Sequence, residues 1–161
     1  MLDREVLYKA YFTKDKLVHH HINSFNDFID SGLQKVIDEV GIIETNIENT
    51  YVKLGSIRVE NPTVTEADGS VERLYPNDAR LRNLTYASPL RLEMTIVEGE
   101  TEKEPVEAMI GMLPIMIMSK VCNLSGLSRD EMIEFGEDLL DPGGYFVVNG
   151  SERVIMTLED L

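Results

Sequence analysis

The sequence predicts an α+β fold: antiparallel strands and hairpins, one long N-terminal amphipathic helix, and short helices inserted between the strands. Three observations carry this expectation. Apolar residues recur at a spacing of three and four over residues 24–40. Alternating apolar and polar segments are separated by turn dipeptides such as Asp68-Gly69 and Asn149-Gly150. The elements do not follow the strict strand–helix alternation that a parallel, doubly wound sheet needs.

Residues 1–22 are weakly patterned and read as a separate N-terminal segment ahead of a domain over 23–161. The stripe Phe25, Phe28, Ile29, Leu33, Val36, Ile37, Val40 then marks one face of a helix. Ser24 is placed as its N-cap and Gly41 just past its C-terminus. The segment from Tyr51 to Glu60 reads as a strand whose apolar parity slips between Leu54 and Ile57. A one-residue bulge near Gly55 restores Val52, Leu54, Ile57 and Val59 to one side. Asn61-Pro62 ends it, Ala67 to Ser70 is a turn, and Pro76 opens a short helix over 77–83.

Leu90, Leu92, Met94 and Ile96 define the inner face of a half-buried strand. An acidic connection, residues 98–105, leads to an antiparallel return over 106–110. Pro114 demotes the apolar run 110–118 to an edge or an irregular buried segment, with its methionines filling core gaps. Ser128 and Glu131 have capping-box spacing for a helix that ends at Phe135. A turn at 141–144 leads to a hairpin of strands 145–148 and 153–157 joined by Asn149-Gly150.

The 161 residues carry a net charge of −14, with 29 acidic against 15 basic side chains. A stand-alone nucleic-acid binder draws its affinity from the opposite sign, so composition argues against one. Local basic contacts survive this objection because charges are screened over about 8 Å at physiological salt. No apolar run is long enough to cross a membrane as a helix. A single cysteine, Cys122, forms no internal disulfide, and with the absence of a leader-like N-terminus it points to a reducing, cytoplasmic setting.

No catalytic constellation is visible. Gly143-Gly144 lacks the third glycine and the helix of a phosphate loop. Cys122 has no histidine near it in sequence and reads as a small buried thiol. His19, His20 and His21 are adjacent and cannot share one helix face, so they read as a helix start or solvated linker and not as metal ligands. The loop carboxylates read as solvated charge. The remaining candidates are cations: Arg73, Arg80, Arg82, Lys120 and Arg153, as contacts to nucleic acid or to other subunits. Arg80 and Arg82 are two apart and face different ways, so at least one is expected in an ion pair within the fold. Arg153 is open between a cross-strand acid and a backbone phosphate.

Several blocks are similar to the N-terminal part of the second-largest subunit of multisubunit DNA-directed RNA polymerases. They are Ser24 to Asp30, Gly55 to Val59, Tyr75 to Leu90, Ile110 to Met116 and Gly143 to Ile155. Their order and spacing hold from about residue 14 to the end. The short acidic connection resembles the archaeal version, either undivided or split in two with an N-terminal piece known as B double-prime. The resemblance implies a partial protrusion domain lining the main cleft, an incomplete domain within a polypeptide several times longer. It implies no catalytic centre and no cofactor in this chain, magnesium and zinc being held elsewhere in the assembly. The implied partners are the remainder of the second-largest subunit, the largest subunit, template DNA, the RNA–DNA hybrid and general transcription factors, with no membrane. The competing reading is an independent acidic interaction module docking a basic protein through the helix 24–40.

Overall fold

The computed structural model describes residues 4–11, 14–156 and 158. It is an α+β arrangement, as the sequence predicts. Helix α1 spans Arg4–Tyr11 and helix α2 Lys14–Asp27; a π-helical turn, Phe28–Gly32, leads without a break into α3, Leu33–Val40. The helix therefore begins at least ten residues before Ser24. That residue is interior, not an N-cap, and His19 to His21 lie within the helix. Gly41 ends α3 as expected, with φ of 61° and its N–H donating to the Ile37 carbonyl.

The expected apolar stripe is only partly used. Phe25 is buried and Ile29 packs against the core, but Phe28, Val36 and Val40 remain exposed. The wider π turn changes the helical phase midway, so residues on either side of it no longer share one face.

The main sheet is antiparallel. Strand β1 (Ile42–Glu44) pairs with β2 (Thr50–Val59), and β2 pairs with β5 (Ala87–Glu98). The other edge of β5 is shared by the two-residue β6 (Thr101–Glu102) and by β7 (Val106–Pro114). Hairpin β3 (Thr63–Thr65) and β4 (Val71–Arg73) inserts between β2 and the short helix α4 (Pro76–Leu81). Helix α5 (Arg129–Glu134) precedes the terminal hairpin of β8 (Phe146–Val148) and β9 (Ser151–Arg153).

The bulge expected near Gly55 is present, as a register shift between Leu54 and Ile57. Its disturbed backbone groups are met from α3: the Gln34 amide donates to the Gly55 carbonyl at 3.1 Å and accepts from the Ile57 N–H at 3.0 Å. The capping box forms, with Ser128 Oγ accepting from the Glu131 N–H and Glu131 accepting from the Ser128 N–H. Asn149 and Gly150 both have positive φ, 50° and 73°, the geometry of a two-residue hairpin turn. The second strand of this hairpin starts directly after the turn and ends at Arg153, earlier than the expected 153–157; Thr157 lies outside the described residues. A two-residue turn puts Ser151 opposite Val148, so pairing has to begin there.

In β5 the expected inner face holds at Leu92 but fails at the far end. Val97 is buried there and Ile96 is 41% exposed. Pro114 closes β7, which pairs on one side only, and the chain then runs as a buried irregular segment, Ile115 to Ile117. Met116 fills the core as expected, whereas Met112 stays exposed.

The core lies between the helices and the terminal hairpin, around Phe25, Leu74, Tyr86, Ile115, Ile117, Met132, Phe146 and Val147. Phe25 brings α2 onto it by an edge contact with Phe146, the ring centroids being 5.5 Å apart. Gly144 permits this approach: a Cβ there would lie 2.8 Å from Val18 Cβ. Buried polar groups hold the centre. The Asn123 N–H donates to the Tyr86 hydroxyl at 2.8 Å, and the Asn123 side-chain amide donates to the Pro62 and Leu74 carbonyls, each at 2.8 Å. Cys122 is buried as expected, its sulfur 3.4 Å from the Tyr86 oxygen.

Removing the Asn123 amide strands the buried Leu74 carbonyl, at about 1–3 kcal/mol, while the Pro62 carbonyl keeps the Leu74 N–H as a donor. We predict that Asn123→Ala lowers unfolding stability by roughly 1–3 kcal/mol in urea titration. A change within experimental error would show that the Leu74 carbonyl finds another partner.

Candidate nucleic-acid and subunit interface

The five candidate cations meet different fates. Arg80 leaves α4 and enters a cluster built by the loop after α5 and by the terminal hairpin. Its Nε donates to Glu152 at 3.0 Å and one terminal nitrogen donates to the Tyr145 hydroxyl at 2.5 Å. Glu137 lies 3.4 Å and Asp141 3.7 Å from the guanidinium. The Tyr145 hydroxyl in turn donates to Asp141. Burial works against the Arg80 charge, but Tyr145, Glu137 and Glu152 outweigh it and hold the guanidinium above its ordinary pKa. Glu137, whose side chain is 3% exposed, is pushed above the usual carboxylate range by burial, against the Asn77 N–H and Arg80, which favour its charge. Tyr145 is raised by burial and by its bond to Asp141.

Arg82 is exposed but is not free either. It forms a two-pronged pair with Glu66, at 2.7 and 3.0 Å, linking α4 to the β3–β4 turn, and that bond raises its pKa. Both arginines of this helix are thus tied within the fold, where the sequence predicts at least one. Lys120 is exposed but paired with Asp30 at 2.6 Å, while its backbone N–H donates to Asn26. These contacts fasten α2 and the π turn to the buried segment.

Arg73 and Arg153 differ. Among the described residues neither guanidinium has an ion pair or hydrogen bond, and both are exposed. Arg73 ends β4 on the small hairpin. Arg153 ends β9 opposite Phe146, so its cross-strand neighbour is aromatic and not an acid. With His20 and His21 it edges an apolar groove of about 610 Å³ floored by Phe25, Met116, Phe146 and Val148. The groove lining contains no Asp or Glu, although the chain has 29. The five candidates do not converge on one site; Arg80 and Arg153 alone are joined, through neighbouring residues of β9.

Sequence reasoning missed the pairs Arg91–Glu60 at 2.6 Å and Arg58–Glu107 at 2.7 Å, which brace the sheet across strands. The alternation of β2 and β5 marks these side chains as outward, but only the bulged register decides which acid each one meets. Among the described residues, no group of three or more His, Cys, Asp or Glu is arranged to hold a metal ion. No helix there is long and apolar enough to cross a membrane.

Residues 16–161 match the RNA polymerase beta subunit family. The chain belongs to this family. Among the similar proteins, DNA-directed RNA polymerase subunit Rpo2N of Halobacterium salinarum is 49% identical over 170 aligned residues, covering 99% of this chain and 32% of that protein. Rpo2N of Methanocaldococcus jannaschii is 53% identical, covering 96% of this chain and 32% of the relative. Subunit Rpo2 of Saccharolobus shibatae is 51% identical, covering 99% of this chain and 14% of the relative. The chain thus spans about a third of the length of its Rpo2N relatives. The family expected from the motif blocks is the family found, and these relatives are archaeal, as the short acidic connection suggests.

Arg80 of α4 and Arg82 just after it separate by burial. Arg80→Ala leaves Glu137 buried without its cation and is expected to cost roughly 2–4 kcal/mol. Arg82→Ala breaks an exposed pair and is expected to change stability little. Thermal unfolding of both variants checks this; equal losses would mean that Glu137 does not depend on Arg80.

Proposed function

We propose that this chain is a structural, cleft-lining part of the second-largest subunit of an archaeal-type DNA-directed RNA polymerase. The observation that carries this reading is the family match, continuous over residues 16–161, to proteins named as subunits of that enzyme. Residues 23–161 would form a partial protrusion domain preceded by the segment 1–22. The activity, DNA-templated synthesis of RNA from ribonucleoside triphosphates, belongs to the assembly, and this chain contributes no bond-making group. Its partners would be the remaining polymerase subunits, the largest among them, with template DNA, the RNA–DNA hybrid and general transcription factors in reach, in the cytoplasm. The chain's own cofactor need is none; magnesium and zinc would be bound elsewhere in the particle.

The charges support a division of labour. Arg80, Arg82 and Lys120 are engaged by Glu152, Glu66 and Asp30, and they hold the wall together. Arg73 and Arg153 are the candidates left with free guanidinium groups for a phosphate or a neighbouring polypeptide's carboxylate. Contacts of that kind position a nucleic acid without reading its bases.

Two measurements test this. The tagged native chain is expected to purify with a large complex that synthesises RNA; recovery as a small free protein would instead favour the independent interaction module. In a reconstituted polymerase, Arg73→Glu with Arg153→Glu is expected to weaken DNA binding. Each lost phosphate contact should reduce the salt slope by about one. Unchanged binding, salt dependence and assembly would remove both residues from the interface.

A further inference from the structure

The Arg80 cluster is more crowded with acid than one cation can serve. Three carboxylates, Glu137, Asp141 and Glu152, converge on a single guanidinium. The contacts are unequal: Glu152 at 3.0 Å and Tyr145 at 2.5 Å are close, Glu137 accepts a longer hydrogen bond at 3.4 Å, and Asp141 sits at 3.7 Å. Glu137 is the most enclosed of the three, its side chain 3% exposed against 20% for Asp141 and 58% for Glu152. It is also the acid that joins the elements, because its Oε1 accepts from the Asn77 N–H of α4 at 2.7 Å.

We propose that this cluster is an acid-tightened latch on the β8–β9 hairpin: protonation of Glu137 leaves the guanidinium to two carboxylates instead of three, and the hairpin closes more firmly on α4. The groups facing Glu137 are Arg80 and the Asn77 N–H from α4, Asp141 and Tyr145 from the loop, and Glu152 from β9, with Asp138 on the outer rim. On the core side stand Tyr86 and Cys122, both held neutral by burial. The proton leaves the Asn77 bond possible, since a neutral carboxyl oxygen still accepts. It removes the repulsion between Glu137 and Asp141, one of the causes that raise the Glu137 pKa after burial itself.

The direction follows from linkage. A carboxyl whose folded pKa lies above its unfolded value of 4.5 takes up its proton first in the folded state. Its contribution to stability therefore grows as pH falls towards 4.5 and is lost as pH rises through the folded value. The hairpin so controlled carries Arg153 and one wall of the apolar groove. The latch rests on the arrangement of the cluster and not on the polymerase reading.

The test is hydrogen exchange by mass spectrometry on the intact native protein, following peptides over residues 145–153 between pH 7.5 and 4.5 and correcting for intrinsic rates. Protection in the wild type is expected to rise on acidification, by up to about tenfold for each unit of pKa displacement. Glu137→Gln mimics the protonated side chain and is expected to abolish the pH dependence. Glu152→Gln, at an exposed position, is expected to lower protection while keeping the slope. A flat wild-type profile, or an unchanged slope in Glu137→Gln, would overturn the latch. So would loss of the slope in Glu152→Gln, which serves as the deciding variant where Glu137→Gln does not fold.

Discussion

The fold depends on satisfying buried polar groups where three separate stretches of chain meet. Tyr86, fully buried just before β5, accepts a hydrogen bond from the backbone of Asn123. Asn123 then serves the carbonyls of Pro62 and Leu74, on either side of the β3–β4 hairpin. A buried carbonyl without a donor is costly, so this one side chain fixes where the small hairpin sits relative to the core. The Tyr86 backbone extends the same junction: its N–H donates to Val147 and its carbonyl accepts from Ile115. The terminal hairpin and the irregular segment after β7 are thereby registered on the same residue.

Charge follows a similar constraint. A chain with 29 acids and 15 Lys and Arg has more carboxylates than cations to meet them. Most of the cations near structured elements are consequently engaged, including Arg58, Arg80, Arg82, Arg91 and Lys120. Exposed pairs of this kind contribute little energy each, and their chief effect is to decide where positive charge is still available. Among the five candidates this leaves Arg73 and Arg153 unengaged, which the sequence alone ranks no higher than the others.

Apolar surface remains along two sides of the molecule. Val106, Met109, Ile110 and Met112 are exposed on β7, which pairs on only one side, and Ile42 and Ile43 are exposed on β1. Unpaired edges with apolar side chains are sites where other chains add on or cover. This surface is compatible with an incomplete domain, and the chain spans about a third of the length of its Rpo2N relatives.

Local signals determined most of the elements. The bulge after Leu54, the capping box at Ser128, the Asn149-Gly150 turn, Pro76 as first helical residue and Gly41 as helix stop were all legible, because each depends on neighbours within a few residues. So was the family, since its blocks are contiguous in sequence. The helix start was not legible: Ser24 has the chemistry of a cap, yet tertiary packing through Phe25 carries the helix past it. Nor were the ion pairs, because Arg80 meets acids 57, 61 and 72 residues away and Arg82 one 16 residues away in the opposite direction. Secondary structure follows from short-range sterics and hydrogen bonding, which the sequence states directly. Which cation is paired and which stays free is decided only when distant segments pack, because pairing depends on distances that no local pattern encodes.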